Sequence, residues 1–127
     1  MGNVSTRAFS SRVVTRILFA AATVLAGAGM AHAASAFIRI NQVGYVTSAS
    51  KRAYLMASGS EAGATFAVKN SSGTTVYSAS VGSNIGKWGS FTDVYALDFD
   101  SVAAVGSYTI SVVSPIAATS PRCVSRT

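Results

Sequence analysis

Beyond residue 36, apolar and polar positions alternate with the period of β-strands, and no segment sustains a helical period. Residues 37–43 predict a first strand, with Ile38 and Ile40 on one face and Arg39 between them. Asn41 ends that alternation, and Gly44 offers a point where the backbone turns sharply. Residues 52–57 predict a second strand, more continuously apolar, as a strand covered on both faces would be. After a Gly/Ser loop around Glu61, residues 65–69 and 74–81 flank Asn70-Ser71-Ser72-Gly73 and predict a β-hairpin. A loop with Gly82, Gly86 and Gly89 around Lys87 and Trp88 leads to alternation over residues 91–99. Asp93 breaks the apolar side of that run, which predicts a bulge or an edge position there. Residues 107–113 are the last clear strand, with Tyr108, Ile110 and Val112 in register. Six short strands separated by turn signals predict an all-β sandwich with Greek-key connections.

Two aromatic residues admit more than one role. Tyr108, behind Gly106-Ser107, either sends its hydroxyl back to a carbonyl in 100–103, pinning a corner, or packs as a plain core residue. Trp88 either caps the end of the sandwich or stands exposed as a flat platform for a sugar face, with Phe91 and Tyr77 as companions.

Charge changes the picture mainly at the ends. Arg7, Arg12 and Arg16 precede a short apolar run from Ile17 to Ala28, and Ala31-His32-Ala33 closes it with small residues. Positive start, short apolar run and small-residue exit predict a secretory signal over residues 1–33 and a secreted, extracellular product. The run falls short of the roughly 20 apolar residues a membrane span needs. No membrane association is therefore expected after cleavage. Past residue 33 there are seven bases and four acids, and only Lys51 and Arg52 are adjacent, so no nucleic-acid surface is expected.

The chemistry available is sparse. The one histidine, His32, lies in the leader, which excludes His-based triads and ordinary zinc sites from the processed chain; no metal or cofactor is expected. Cys123, the one cysteine, reads as an incidental thiol in a frayed tail. Asp98 and Asp100 are the one close acidic pair, but at a strand end without a cleft they read as solvated acids, not as a glycosidase pair. No catalytic residue is assigned.

The wording of several segments is familiar. Ile38-Arg39-Ile40-Asn41-Gln42-Val43-Gly44-Tyr45 with Lys51-Arg52-Ala53, then Phe66-Ala67-Val68-Lys69-Asn70 with Gly73, then residues 95–101 and Gly106-Ser107-Tyr108-Thr109-Ile110 occur in order. Over about residues 37–120 the chain resembles the immunoglobulin-like domain at the N-terminus of many glycoside hydrolase family nine cellulases. The resemblance implies an immunoglobulin-like sandwich that is inactive alone. It would be a non-catalytic neighbour packed on a downstream catalytic α/α-barrel that hydrolyses β-1,4-glucan by inversion. It makes Asn41, Gln42, Gly44 and Tyr45 a structural signature and a candidate interdomain contact. Past Ser114 the family pattern fades into a polar, basic stretch, Arg122-Cys123-Val124-Ser125-Arg126-Thr127. That departure predicts a sandwich over 34–120 lacking its final strand, a divergent tail at 121–127, marginal stability, and a precursor truncated by a frame shift near Pro121. A second expectation is a small free-standing carbohydrate-binding module that holds β-glucan through Trp88.

Overall fold

The computed structural model describes residues 33–127, and the leader expected before Ala33 lies outside them. Nine strands follow in order: β1 (Ala36–Arg39), β2 (Tyr45–Val46), β3 (Arg52–Ala57), β4 (Thr65–Lys69), β5 (Thr75–Ser80), β6 (Asp93–Asp98), β7 (Gly106–Val112), β8 (Ala118–Thr119) and β9 (Cys123–Arg126). They form a three-stranded sheet, β1-β3-β6, and a six-stranded sheet, β2-β9-β7-β4-β5, with β8 paired to β7. The chain passes repeatedly from one sheet to the other, and the inward side chains of both meet in one core. Ile38, Leu55, Tyr95 and Leu97 come from the smaller sheet; Phe66, Val68, Tyr108, Ile110 and Val112 come from the larger. This is the all-β sandwich that the alternation predicts.

The first strand is shorter than its alternation suggests. It stops at Arg39, because Asn41 closes a turn and the chain leaves for the other layer, where Tyr45 and Val46 pair in parallel with Ser125 and Arg126. The hairpin of β4 and β5 forms as expected. The Asn70 side chain accepts from the backbone N–H groups of Ser72 and Thr74 across the turn, both at 3.0 Å. Asp93 is the first residue of β6. Tyr108 does pin its corner: its hydroxyl donates to the carbonyl of Ala104 at 2.9 Å, one residue beyond the expected acceptors.

The C-terminal stretch corrects the sequence reading. Residues 123–126, expected as a divergent tail outside the sandwich, form β9, hydrogen-bonded between β7 and β2. Cys123 and Ser125 point inward and are buried, so the thiol belongs to the core, and burial pushes its pKa up. In the place of the last strand expected to be missing, β9 lies beside β7 and is flanked in turn by β2 over two residues.

Candidate functional site

Residues 82–93 build the most site-like surface. Where β5 ends, the chain crosses to the outer edge of the smaller sheet and runs beside β6. Gly82 N–H donates to Ala96 at 3.0 Å and Ile85 N–H to Val94 at 2.8 Å. Asn84 then braces the excursion. Its side-chain oxygen accepts from Gly86 N–H at 2.8 Å, and its amide nitrogen donates to Asp93 Oδ1 at 2.6 Å. The tip closes tightly: Trp88 and Phe91 exchange both backbone hydrogen bonds at 3.0 Å around Gly89 and Ser90. Gly89 has φ 62°, which is why glycine suits a two-residue turn there.

This hairpin folds back over the outer face of the smaller sheet. In the register, Phe37 lies opposite Met56 and Met56 opposite Val94. Met56 and Val94 are buried although they face away from the main core, whereas Phe37 remains 53% exposed. Trp88 is 59% exposed, so it does not cap the sandwich interior. Phe91 is half-buried and meets Phe37 edge-on, with ring centroids 5.7 Å apart. A depression of about 490 Å³ is lined by Arg39, Met56, Trp88, Gly89, Ser90 and Phe91. A smaller one of about 200 Å³, lined by Ile85, Gly86, Lys87 and Val94, also has Trp88 as a wall. Tyr77, expected as a companion, is instead on β5 of the other sheet, against Phe66.

The signature residues go elsewhere. Asn41 Oδ1 accepts from Val43 N–H at 3.0 Å, and Tyr45 Oη accepts from Asn41 N–H at 3.0 Å while donating to the Arg52 carbonyl at 2.9 Å. The Tyr45 ring is buried edge-on against Phe99, and burial raises its hydroxyl pKa. Gly44 has φ 118°, and a Cβ there would stand 2.9 Å from the Val124 carbonyl oxygen. Arg126 closes the far side by donating to the Val43 carbonyl. Asn41, Gly44 and Tyr45 thus serve the corner's own backbone. Gln42 is exposed and lines a cleft of about 470 Å³ with residues 37–40 of the first strand and its exit, Thr119 and Pro121.

The charged residues are largely engaged in structure. Asp98 accepts both nitrogens of an Arg52 fork at 2.6 and 2.9 Å, which holds its pKa below the usual carboxylate value. Asp100 accepts from Lys51 N–H at 2.6 Å, so the acidic pair serves two different anchors. Lys51 is fully buried, its ammonium donating to the carbonyls of Thr47 at 2.7 Å and Ala49 at 3.1 Å. Glu61 is fully buried too; one oxygen faces Ile116 N–H at 3.4 Å and the other has no partner, and burial raises its pKa. Sequence reasoning missed the burial of Lys51 and Glu61. It also missed Arg39 and Met56 beside Trp88, although Phe37 and Arg39 share the outward period of β1. Among the described residues no group of three His, Cys, Asp or Glu could hold a metal, and no helix is long and apolar enough to cross a membrane.

Comparison with known proteins places this fold. The sequence pattern of the cellulase N-terminal ig-like domain matches residues 33–115. A family 9 glycoside hydrolase of Bacteroides ovatus superposes with a TM-score of 0.56 at 25% identity, over 70% of this chain and 15% of that one. The family 9 endoglucanase J30 superposes with a TM-score of 0.51 at 25% identity, over 62% of this chain and 14% of its own. A zinc-binding triple mutant of J30 gives 0.52 at 25% identity, over 63% and 14%. The chain therefore spans about a seventh of the length of these enzymes, and no catalytic domain is evident in it. No curated protein matches the sequence. The chain belongs to the family of cellulase N-terminal immunoglobulin-like domains found in family 9 glycoside hydrolases.

Proposed function

We propose that this chain acts as a secreted, non-catalytic accessory domain that packs on a family 9 catalytic module and stabilises it, the parent enzyme hydrolysing β-1,4-glucan. The observation that carries the reading is the match of residues 33–115 to the family domain together with superposition on one small part of much longer family 9 enzymes. The cleft at the end of β1 is the docking face this reading favours. Ile40, Gln42, Thr119 and Pro121 line it, and Asn41, Gly44 and Tyr45 hold the corner that presents Gln42. No acid is assigned a catalytic role, since Asp98, Asp100 and Glu61 are each accounted for by a structural contact.

The test is to produce a family 9 catalytic module with and without this chain. The module made with the chain is expected to melt at a higher temperature, because a partner that binds only the folded state stabilises it. The double variant Ile40→Asp/Gln42→Ala is expected to lose that gain. The chain alone is expected to leave carboxymethylcellulose intact. Hydrolysis by the chain alone that disappears in Asp98→Asn would overturn the proposal, as would a catalytic module indifferent to the chain.

A further inference from the structure

We infer that the shelf formed by Trp88, Phe91 and Arg39 on the outer face of the smaller sheet is a binding site for a β-linked glucan chain, centred on Trp88 and meeting the cleft at Gln42 only at Arg39, which lines both. The inference rests on reading the chain as part of a cellulase, and it adds a direct contact between this domain and the polysaccharide. The indole does not stand alone: it shares its depression with Phe91, whose ring meets the exposed Phe37, and the Asn84 brace and the closed turn at Gly89 hold this apolar patch in place. Such a ring loses little freedom when a ligand lands on it, so most of the contact energy is kept as affinity.

The chemistry around the ring selects the ligand. In a β-linked glucose unit the hydroxyls lie around the ring's rim and the axial C–H bonds point from its faces. Its face is apolar and its edge polar. The shelf has that pairing. Trp88 and Phe91 supply aromatic surface, Met56 floors the depression, and Arg39 and Ser90 stand at its side as donors. Arg39 is not committed to a carboxylate, because the one ion pair among the described residues joins Arg52 to Asp98. Trp88 is also the wall shared with the second depression, where Lys87 offers another donor, so consecutive sugar units can flank the indole. Concavities of about 490 and 200 Å³ suit a narrow chain. A protein partner typically takes roughly 20–30 residues a side.

Trp88 is the one tryptophan of the sequence, so its emission reports on the shelf. Titrating cellohexaose into the chain is expected to give a saturable emission change. Electrophoresis through gels containing hydroxyethylcellulose should retard the chain. Arg39→Ala should weaken binding about fivefold, the effect of one lost hydrogen bond of about 1 kcal/mol. Trp88→Ala should abolish retardation and Trp88→Tyr should keep part of it, with urea midpoints confirming that both variants are folded. Gln42→Ala should bind like the parent. No saturable change, or retardation undiminished in folded Trp88→Ala, overturns the inference. So does an emission shift caused by a family 9 catalytic module and not by cellohexaose, which would make the shelf a protein-docking face. The accessory role is read through melting of the catalytic module and the Gln42 cleft, so either idea can fail without the other.

Discussion

The corner at residues 41–45 and the hairpin at residues 84–91 are built with the same local parts and put them to opposite uses. Each has an asparagine whose side chain accepts the N–H two residues on, Val43 for Asn41 and Gly86 for Asn84. Each has a glycine at positive φ, Gly44 at 118° and Gly89 at 62°. Each presents an aromatic ring, Tyr45 or Trp88. Yet Tyr45 is buried with its hydroxyl bonded twice, and Trp88 stands mostly in solvent. Position in the layers explains the difference. The corner carries the chain from one sheet to the other, so its ring enters the space between them. The hairpin leaves the outer edge of β6 and folds over a face that carries no second layer among the described residues. Local turn chemistry shapes a segment, and the sheet beneath decides whether its ring becomes core or surface.

The two glycines give the largest test of that contrast. At Gly44 an added Cβ meets backbone, the Val124 carbonyl at 2.9 Å, and the φ is hostile as well. Gly44→Ala is expected to cost about 3 kcal/mol, the upper range for one strained residue. At Gly89 nothing lies within 4 Å, so only the left-handed conformation is charged for. Gly89→Ala is expected to cost about 1 kcal/mol. Urea unfolding of both variants checks the ratio. Equal losses would mean that the hairpin is as deeply integrated as the corner.

Much of this was legible beforehand, and the failures share a cause. Strands β3 and β4 emerge at their observed bounds, β3 because residues 53–57 form a continuous apolar run and β4 because Phe66 and Val68 alternate with polar or small residues, with turn residues nearby. Strand β9 hides because its inward residues are Cys123 and Ser125 while Val124 points out, the reverse of a readable pattern. Its pairing comes from β7 and β2, which are distant in sequence. Lys51 and Glu61 read as surface charges, since such residues are seldom fully buried. What buries them are loops whose shape no short window reveals. At the candidate site, the ring and its glycines were visible, but not its exposure. Arg39 and Met56 join Trp88 only through the register of β1, β3 and β6.

Glu61 is the ionisable group among the buried side chains left with an unpartnered oxygen, which Ser107, Ser111 and Ser125 also have, and it offers a contrast to the fully paired corner. Around Tyr45 each hydroxyl contact is answered; Glu61 leaves one oxygen without a partner. Burial raises its pKa above the ordinary 4.5, so the folded state holds the proton more tightly than the unfolded chain. The glutamate's contribution is therefore best at low pH and declines as pH rises through the folded value. Glu61→Gln removes the charge and keeps the shape. It should gain about 1 kcal/mol at pH 7.5 and almost nothing at pH 4. Chemical denaturation at the two pH values measures this. A loss at pH 7.5 would show that the carboxylate has a partner worth keeping.

The smallest expected effect is the most pointed, because Arg52 belongs to both regions. Its carbonyl accepts from Tyr45 in the corner, while its guanidinium meets Asp98 on the outer face, where both side chains are 54% exposed. Asp98 has its pKa lowered by the Arg52 bond, so the pair's stabilisation is present above the ordinary value of 3.8 and lost as pH falls through the lower folded value. Solvent and salt screen an exposed pair, so Asp98→Asn should cost about 0.5 kcal/mol at pH 7 and less in 1 M salt. Unfolding midpoints at low and high ionic strength decide it. A salt-independent loss approaching that of Gly44→Ala would mean that the outer face is held as tightly as the corner, and the contrast between an integrated corner and a presented surface would fail.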